Sequence, residues 1–167
     1  MKQWKTYILS CIWGPMLIAQ MLLVLIFGLF NKAGLNLLVY AGCVIWVFSI
    51  VLGWMPILVL KRRGGVAKSK SYVHTTTLVK TGIYSIVRHP QYTAGILLSL
   101  ALVLVSQSWL VTLIGVVVMP LLYVDIAMAD KHEIEKFGDA YKDYMEKVPR
   151  ANFLLGIIRL LKSRKRK

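Results

Sequence analysis

Acidic side chains are almost absent from this 167-residue sequence: it has seven, against 21 lysines and arginines, and all seven lie between Asp125 and Glu146. Cysteine is also scarce. The two cysteines, Cys11 and Cys43, are too few and too widely spaced for a disulfide framework or a metal site. Both fall in apolar stretches, where a buried thiol packs as a small apolar residue. We therefore expect neither a disulfide-stabilised fold nor a metal centre.

Apolar residues are present in large excess. They make up 57% of the sequence, and the mean hydropathy is +0.64. A soluble domain of this size could not bury so much apolar surface. A membrane-crossing helix needs about 20 mostly apolar residues. The sequence therefore predicts an all-α membrane protein with about four transmembrane helices, at Tyr7–Phe30, Leu35–Leu60, Tyr92–Ser106 and Trp109–Met128.

The third of these stretches is short unless Pro90 and Gln91 also lie at membrane depth. Between it and the fourth stretch, Ser106-Gln107-Ser108 leaves room only for a tight turn, so the last two helices are expected to form a hairpin.

The distribution of basic residues predicts the orientation. Only Lys32, of the 21 lysines and arginines, falls in a loop that this topology places outside. By the positive-inside rule, both termini are expected in the cytoplasm. The formal charge of +14 also suggests nucleic-acid binding. Basic segments beside transmembrane helices usually meet anionic lipid headgroups instead, so we expect no nucleic-acid partner.

Polarity divides the chain into three functional segments. Residues 1–60 are expected to form a scaffold of two transmembrane helices, in which Gly42, Ser49 and Gly53 suit close helix packing. Residues 61–150 are expected to form the catalytic core, with a cofactor-binding loop, the hairpin and a cytoplasmic helix. Residues 151–167 are expected to form an amphipathic polybasic tail.

Local signals set the boundaries within the last two segments. Gly64-Gly65 should end the second helix, Ser69–Thr77 reads as a loop, and Pro90 can begin the third helix. A cytoplasmic helix is expected over Asp130–Val148.

Within that helix, Gly138 is an interruption, and Pro149 ends it. Five of its residues share one face: Glu133, Phe137, Tyr141, Tyr144 and Val148. Phe153–Leu161 reads as an interfacial amphipathic helix whose basic end, Arg164-Lys165-Arg166-Lys167, would bind anionic membrane lipids.

Residues with binding chemistry are concentrated near the cytoplasmic face. Arg88 can hold a carboxylate by paired hydrogen bonds. Carboxylates such as Asp130 and Glu133 can accept from ribose hydroxyls or an ammonium group. Together these residues would suit a zwitterionic nucleoside ligand, although a lone His89-Pro90 at a helix start is more often structural than functional.

The order of three motifs is more specific than any one residue. These are Leu78-Val79-Lys80-Thr81-Gly82-Ile83-Tyr84, Arg88-His89-Pro90-Gln91-Tyr92, and Phe137-Gly138-Asp139-Ala140-Tyr141 followed by Tyr144 and Val148-Pro149-Arg150. Over about residues 75–150, the chain resembles the isoprenylcysteine carboxyl methyltransferase and phospholipid methyltransferase family.

The resemblance implies an integral membrane enzyme that binds S-adenosylmethionine at the cytoplasmic interface and methylates a lipophilic acceptor. It also implies the site. His89, Asp130 and Glu133 are the candidate catalytic residues, and the candidate cofactor-binding residues are Gly82, Tyr84, Arg88, His89, Pro90, Tyr92, Asp130 and Glu133.

The chain departs from the family at its carboxylates. Where the family commonly has an arginine and, four residues later, two adjacent glutamates, this sequence has Asp125, Ala129 and Asp130. Glu133 is a possible substitute for the missing acid. Asp125 is either a functional charge at membrane depth or a residue that has already reached the interface.

Two other functions stay open at this stage, namely an NADPH-dependent membrane reductase of the sterol reductase type and a non-catalytic membrane scaffold. The methyl acceptor could be a phospholipid amine, a prenylcysteine carboxylate, or a small lipophilic thiol or quinone. The missing arginine favours the phospholipid headgroup.

Overall fold

The computed structural model describes residues 4–67 and 69–164, with the side chains of residues 8–67 and 69–162. Lys2, Lys68 and residues 165–167, which belong to the predicted cytoplasmic basic set, lie outside the described residues. All regular secondary structure in the described residues is helical, with no strand. Its elements are α1 (Trp4–Leu25), α2 (Asn36–Arg63), a short 3₁₀ helix (Gly82–Ser85), α3 (Pro90–Ser106), α4 (Trp109–Phe137), α5 (Asp139–Lys147) and α6 (Phe153–Arg164).

Three of these helices, α1, α2 and α4, are long and apolar enough to cross a membrane. The α3 helix is apolar but has 17 residues, which corresponds to about 26 Å at 1.5 Å per residue. The predicted all-helical class is confirmed, whereas the count of four transmembrane helices stays a prediction.

Helix boundaries follow the sequence signals in part. The α2 helix ends at Arg63, just before Gly64-Gly65, and α3 begins at Pro90, as predicted. The predicted boundary after Met128 is wrong, because α4 continues without a break to Phe137. The single helix predicted over Asp130–Val148 is also wrong. Gly138 has φ +58° and ψ −137°, which no helix can contain, so α4 stops before it and α5 starts after it.

The chain packs as two compact units. The first comprises residues up to Val51 together with Ala94–Ala129. Its buried centre is apolar and includes Val24, Leu102, Val105 and Val111. Gly42 packs there at close range, since a Cβ at this position would lie 2.7 Å from a Val105 methyl group.

Polar side chains buried in this unit are hydrogen-bonded to neighbouring helices. Ser49 donates to the Ala94 carbonyl at 2.8 Å, and Gln20 donates to the Val111 carbonyl at 3.0 Å. Ser99 donates to the Gln20 side-chain oxygen at 2.8 Å. These contacts support the close packing predicted for Gly42 and Ser49.

Asp125 is fully buried in the first unit. Its Oδ2 accepts hydrogen bonds from Trp13 Nε1 at 2.8 Å and Ser10 Oγ at 3.1 Å. Asp125 is therefore held inside the protein by two donors from α1, and both readings of its depth in the membrane stay predictions. The expected burial of Cys11 and Cys43 is wrong: both are free and exposed, because they lie on outward faces of apolar helices.

The second unit comprises Leu52–Thr93 and the chain from Asp130 onward. Its core contains Tyr141, Tyr144 and Val148, with the partly buried Ile134 and Phe137 packed against them. These residues largely coincide with the face predicted for the C-terminal helix, even though the backbone breaks at Gly138.

Candidate functional site

The segment from Gly82 to His89 is fixed to the end of α5 and the residues after it. Gly82 begins the 3₁₀ helix with φ +64°, a conformation that favours glycine. The hydroxyl of Tyr144 donates to the Tyr84 carbonyl. Further along, the backbone N–H of Arg88 donates to the Pro149 carbonyl at 3.1 Å, and that of His89 to the Arg150 carbonyl at 3.2 Å.

Asp130 is the centre of a buried polar cluster within the second unit. His89 Nε2 lies 2.7 Å and the Tyr141 hydroxyl 2.8 Å from its Oδ1. Arg150 Nε lies 2.7 Å and Arg88 Nη2 3.3 Å from its Oδ2. A carboxylate offers about four lone-pair sites. Asp130 is therefore fully occupied by protein donors, and its role in the geometry is to position the side chains around it.

The environment of His89 determines which of its two ring nitrogens carries the hydrogen. A carboxylate only accepts hydrogen bonds, so the network assigns a proton to the Nε2 that faces Asp130. Nδ1 is then the ring nitrogen that can meet a ligand. The Tyr92 ring lies edge-on to the imidazole, with centroids 6.0 Å apart. His89 is thus held in one orientation by a carboxylate on one side and a backbone bond on the other.

Arg88 keeps unused hydrogen-bond donors although it is only 8% exposed. Its Nη2 contacts Asp130, whereas its buried Nε and Nη1 have no partner among the described residues. The guanidinium carbon lies 5.9 Å from the centre of the Tyr141 ring. Buried donors without an acceptor are costly. An anionic group bound at Arg88 would satisfy them.

Three buried tyrosines, Tyr84, Tyr141 and Tyr144, lie in or beside this cluster. Burial raises the pKa of Tyr84, and the nearby Glu133 adds to that effect. Burial and the hydrogen bond to Asp130 raise the pKa of Tyr141, so its phenol stays protonated and donates. Glu133 itself is half-buried, one helical turn after Asp130. It is therefore an acid near the cluster that remains separate from the Asp130 network.

The structure brings Arg88, His89 and Asp130 into direct contact and places Tyr84, Tyr92 and Glu133 around them. Gly82 and Pro90 shape the backbone, since Gly82 is exposed at the loop start and Pro90 is buried at the start of α3. Sequence reasoning missed Tyr141 and Arg150 as members of the cluster. Both lie in the third quoted motif, and a buried acid such as Asp130 needs cationic partners.

A surface groove of about 610 Å³ lies elsewhere, in the first unit, and none of the candidate site residues lines it. Its walls are mostly apolar and come from Leu35, Leu38, Val103, Leu104, Gln107, Ser108, Trp109, Thr112, Leu113 and Val116. None of these lining residues has a titratable side chain, in contrast to the Asp130 cluster.

One comparison with known proteins identifies the family. A family model described as phospholipid methyltransferase matches residues 37–140, more than half of the chain, and the match includes Arg88, His89 and Asp130. No curated protein and no solved structure matches the chain. The match confirms the resemblance found in the sequence motifs and favours a methyltransferase over a reductase or a scaffold. The chain belongs to the phospholipid methyltransferase family.

Proposed function

We propose that this protein transfers a methyl group from S-adenosylmethionine to the amine headgroup of a phospholipid at the cytoplasmic surface of the membrane. Membership of the family makes the chain an integral membrane methyltransferase that acts on a lipid substrate. The methyl donor, the amine acceptor and the side of the membrane are our proposals. The observation that supports the methyl donor is the buried Arg88, whose Nη2 contacts Asp130 while its Nε and Nη1 have no acceptor among the described residues.

The residues present fit S-adenosylmethionine. The ligand carries a carboxylate, and Arg88 offers a cationic group with two buried nitrogens that lack an acceptor. Hydrogen bonds between a guanidinium and a carboxylate are among the stronger ones in proteins. His89 Nδ1 and the Tyr92 ring would line the same site. When bound, the cofactor supplies an electrophilic methyl group on a sulfonium.

Displacement at a sulfonium methyl demands alignment more than acid–base power. Holding two reacting groups in a fixed geometry supplies a large part of the acceleration in such reactions. The bonds to Asp130 fix His89 and Arg88 from the side-chain end, and the bonds to residues 149 and 150 fix them from the backbone. We propose that this double restraint is the main contribution of the cluster.

A phospholipid ammonium must lose a proton before it can act as a nucleophile. Asp130 is already saturated by four donors, so it is a poor base. Glu133 and His89 Nδ1 remain as the candidate proton acceptors. Of the three residues that the sequence proposes as catalytic, we therefore assign Asp130 to positioning and Glu133 or His89 to proton removal.

Membrane orientation belongs to the same proposal. We place both termini and the site on the cytoplasmic side, with α3 as a fourth, short transmembrane helix. The basic residues that end α2, Lys61, Arg62 and Arg63, support this placement by the positive-inside rule. Residues 1–60 would then serve as scaffold, 61–150 as catalytic core and 151–167 as a tail for anionic lipids, with no role for nucleic acid.

The test is methyl transfer with defined lipids. Purified protein in nanodiscs receives methyl-labelled S-adenosylmethionine and phosphatidylethanolamine, and the labelled lipid is identified by chromatography. We expect labelled methylated phosphatidylethanolamine. Phosphatidylcholine, whose amine is already quaternary, should take up no label. In parallel reactions, label in an added prenylcysteine peptide with none in phosphatidylethanolamine would contradict the amine acceptor. Oxidation of added NADPH would contradict the methyl donor.

A pair of matched variants tests the proton acceptor. Glu133→Gln should lower kcat, because the half-buried acid beside Tyr84 is lost. Glu135→Gln removes an exposed acid from the same helix and should leave kcat unchanged. Wild-type kcat in both variants would exclude Glu133 as the proton acceptor and leave His89 Nδ1 as the candidate.

A further inference from the structure

The C-terminal helix α6 packs directly against the loop that carries the site. Asn152 caps the helix by accepting a hydrogen bond from the Leu155 N–H at 3.0 Å. One turn later, Gly156 is buried against Ile86, and a Cβ added there would overlap the Ile86 carbonyl and lie 2.7 Å from its carbon. Ile86 is two residues before Arg88, so the position of α6 is tied to that of the loop.

A second set of bonds joins the start of α6 to the site. Arg150, three residues before α6, donates from Nε to Asp130 and accepts at its carbonyl from the His89 N–H. Farther along α6, Arg159 donates to the Glu146 carbonyl at 3.3 Å. Movement of α6 would therefore pull on the backbone and the side chain that hold His89 and Asp130 in place.

Two faces of α6 differ in their surroundings. The inner face, which packs on the protein, carries Phe153, Gly156, Ile157 and Leu160. The adjacent face carries Leu154, Ile158 and Leu161, which are 73%, 50% and 55% exposed and lie four and three residues apart. Beside this apolar stripe, the exposed Arg159 and Lys162 form a basic flank. An exposed apolar stripe with a basic flank is the pattern of a helix that lies in a membrane interface.

We propose that the stripe and flank of α6 dock on an anionic lipid surface, and that this docking stabilises the bonds between residues 149–150 and residues 88–89. Charge complementarity identifies the occupant, because α6 has no acidic residue and the sequence continues into three further basic residues. The site is then complete only when the enzyme is seated on an anionic bilayer. The effect of this docking on the affinity for S-adenosylmethionine rests on the function proposed above.

Docking is tested with a fluorescent probe on the stripe. Ile158→Cys is labelled with an environment-sensitive dye in a background with Cys11→Ser and Cys43→Ser, and placed in nanodiscs of phosphatidylcholine with or without phosphatidylglycerol. We expect a blue-shifted emission that depends on phosphatidylglycerol. Arg159→Gln with Lys162→Gln should abolish this dependence. The control, Lys142→Gln with Lys147→Gln, removes two exposed charges from α5 and should retain it. Emission that is independent of lipid charge would overturn the docking.

Coupling to the site is tested by hydrogen exchange, which needs no cofactor. We expect phosphatidylglycerol to slow exchange of the Arg88 and His89 amides about tenfold, since both bond to residues 149 and 150. Gly156→Ala, which disrupts contact with Ile86, and the Arg159 and Lys162 double variant should lose this protection. Gly14→Ala, which has open space around it, should keep it.

The two proposals fail separately. Equal exchange of these amides in neutral and anionic nanodiscs would overturn the coupling between α6 and the site. Lipid-dependent protection in a protein that binds no S-adenosylmethionine would uphold the coupling and contradict the proposed methyl donor. If both proposals hold, the affinity for S-adenosylmethionine should rise about tenfold in anionic nanodiscs, in parallel with the slower exchange of the Arg88 and His89 amides.

Discussion

Replacing Asp130 by asparagine removes the negative charge at the centre of the site while it keeps the shape of the side chain. The side chain of Asp130 is 3% exposed, and its charge compensates the buried Arg88 and the partly buried Arg150. Asparagine keeps one oxygen but loses the charge and the second acceptor. Removing one partner of a buried ion pair costs about 3–5 kcal/mol. For a chain of this size, about 2–4 °C is lost per kcal/mol, so the melting midpoint should fall by about 6–20 °C.

A second substitution tests whether Asp130 stabilises the protein through its hydrogen-bond network. Tyr141→Phe removes one hydrogen bond to a charged acceptor, and that bond contributes about 1.5–3 kcal/mol. In the Asp130→Asn background, the same change should cost at least about 1 kcal/mol less, because residues in one network are not additive. Asp139→Asn is the matched control. Asp139 is exposed and pairs only locally with Lys142, so its midpoint should hardly change.

The assay is thermal unfolding of purified protein in detergent, followed by circular dichroism at fixed protein and detergent concentration. Our reasoning would be refuted by an Asp130→Asn midpoint within the range of the Asp139→Asn control. Strict additivity of Asp130→Asn and Tyr141→Phe would refute the network while leaving the burial of Asp130 intact.

Two further substitutions test other parts of the structure by the same melting assay. Gly138→Ala meets no steric obstacle, yet it forces an L-residue into φ +58°, ψ −137°, so we expect a loss of about 1–3 kcal/mol from backbone strain alone, and an unchanged midpoint would contradict the helix break. Asp125→Asn should be neutral or stabilising, because the amide keeps an acceptor for Ser10 and Trp13 and removes a buried charge, whereas Asp125→Ala should be destabilising; the opposite order would show that the charge itself is required.

Much of the fold follows from the sequence because long apolar runs have few alternatives in a membrane. The wrong helix boundaries come from the use of polarity and side-chain periodicity to locate helix ends. Polarity changes after Met128, but the backbone bonds of α4 continue through it because charged residues such as Lys131 are compatible with helix. The helix ends where Gly138 adopts a positive φ, which is a backbone property that the sequence suggests but does not require.

The sequence predicted several residues of the candidate site but not the contacts between them. The motif that contains Arg88 and His89 and the acid at position 130 pointed to one location, and the structure places them in contact. Tyr141 and Arg150, which lie 11 and 20 residues beyond Asp130, satisfy this acid through tertiary packing, which no local pattern encodes. Their bonds change the interpretation of Asp130 from a free ligand-binding acid to a positioning residue.

The most direct measurement of the central claim is equilibrium binding of S-adenosylmethionine to the purified protein in nanodiscs, by titration calorimetry. We predict saturable binding to the wild-type chain. Arg88→Lys should weaken it about 10- to 150-fold, the equivalent of one charge-assisted hydrogen bond. Arg62→Lys makes the same change at an exposed arginine and should bind as the wild type does. Wild-type affinity in a folded Arg88→Lys variant, or binding of NADPH in place of S-adenosylmethionine, would contradict the account.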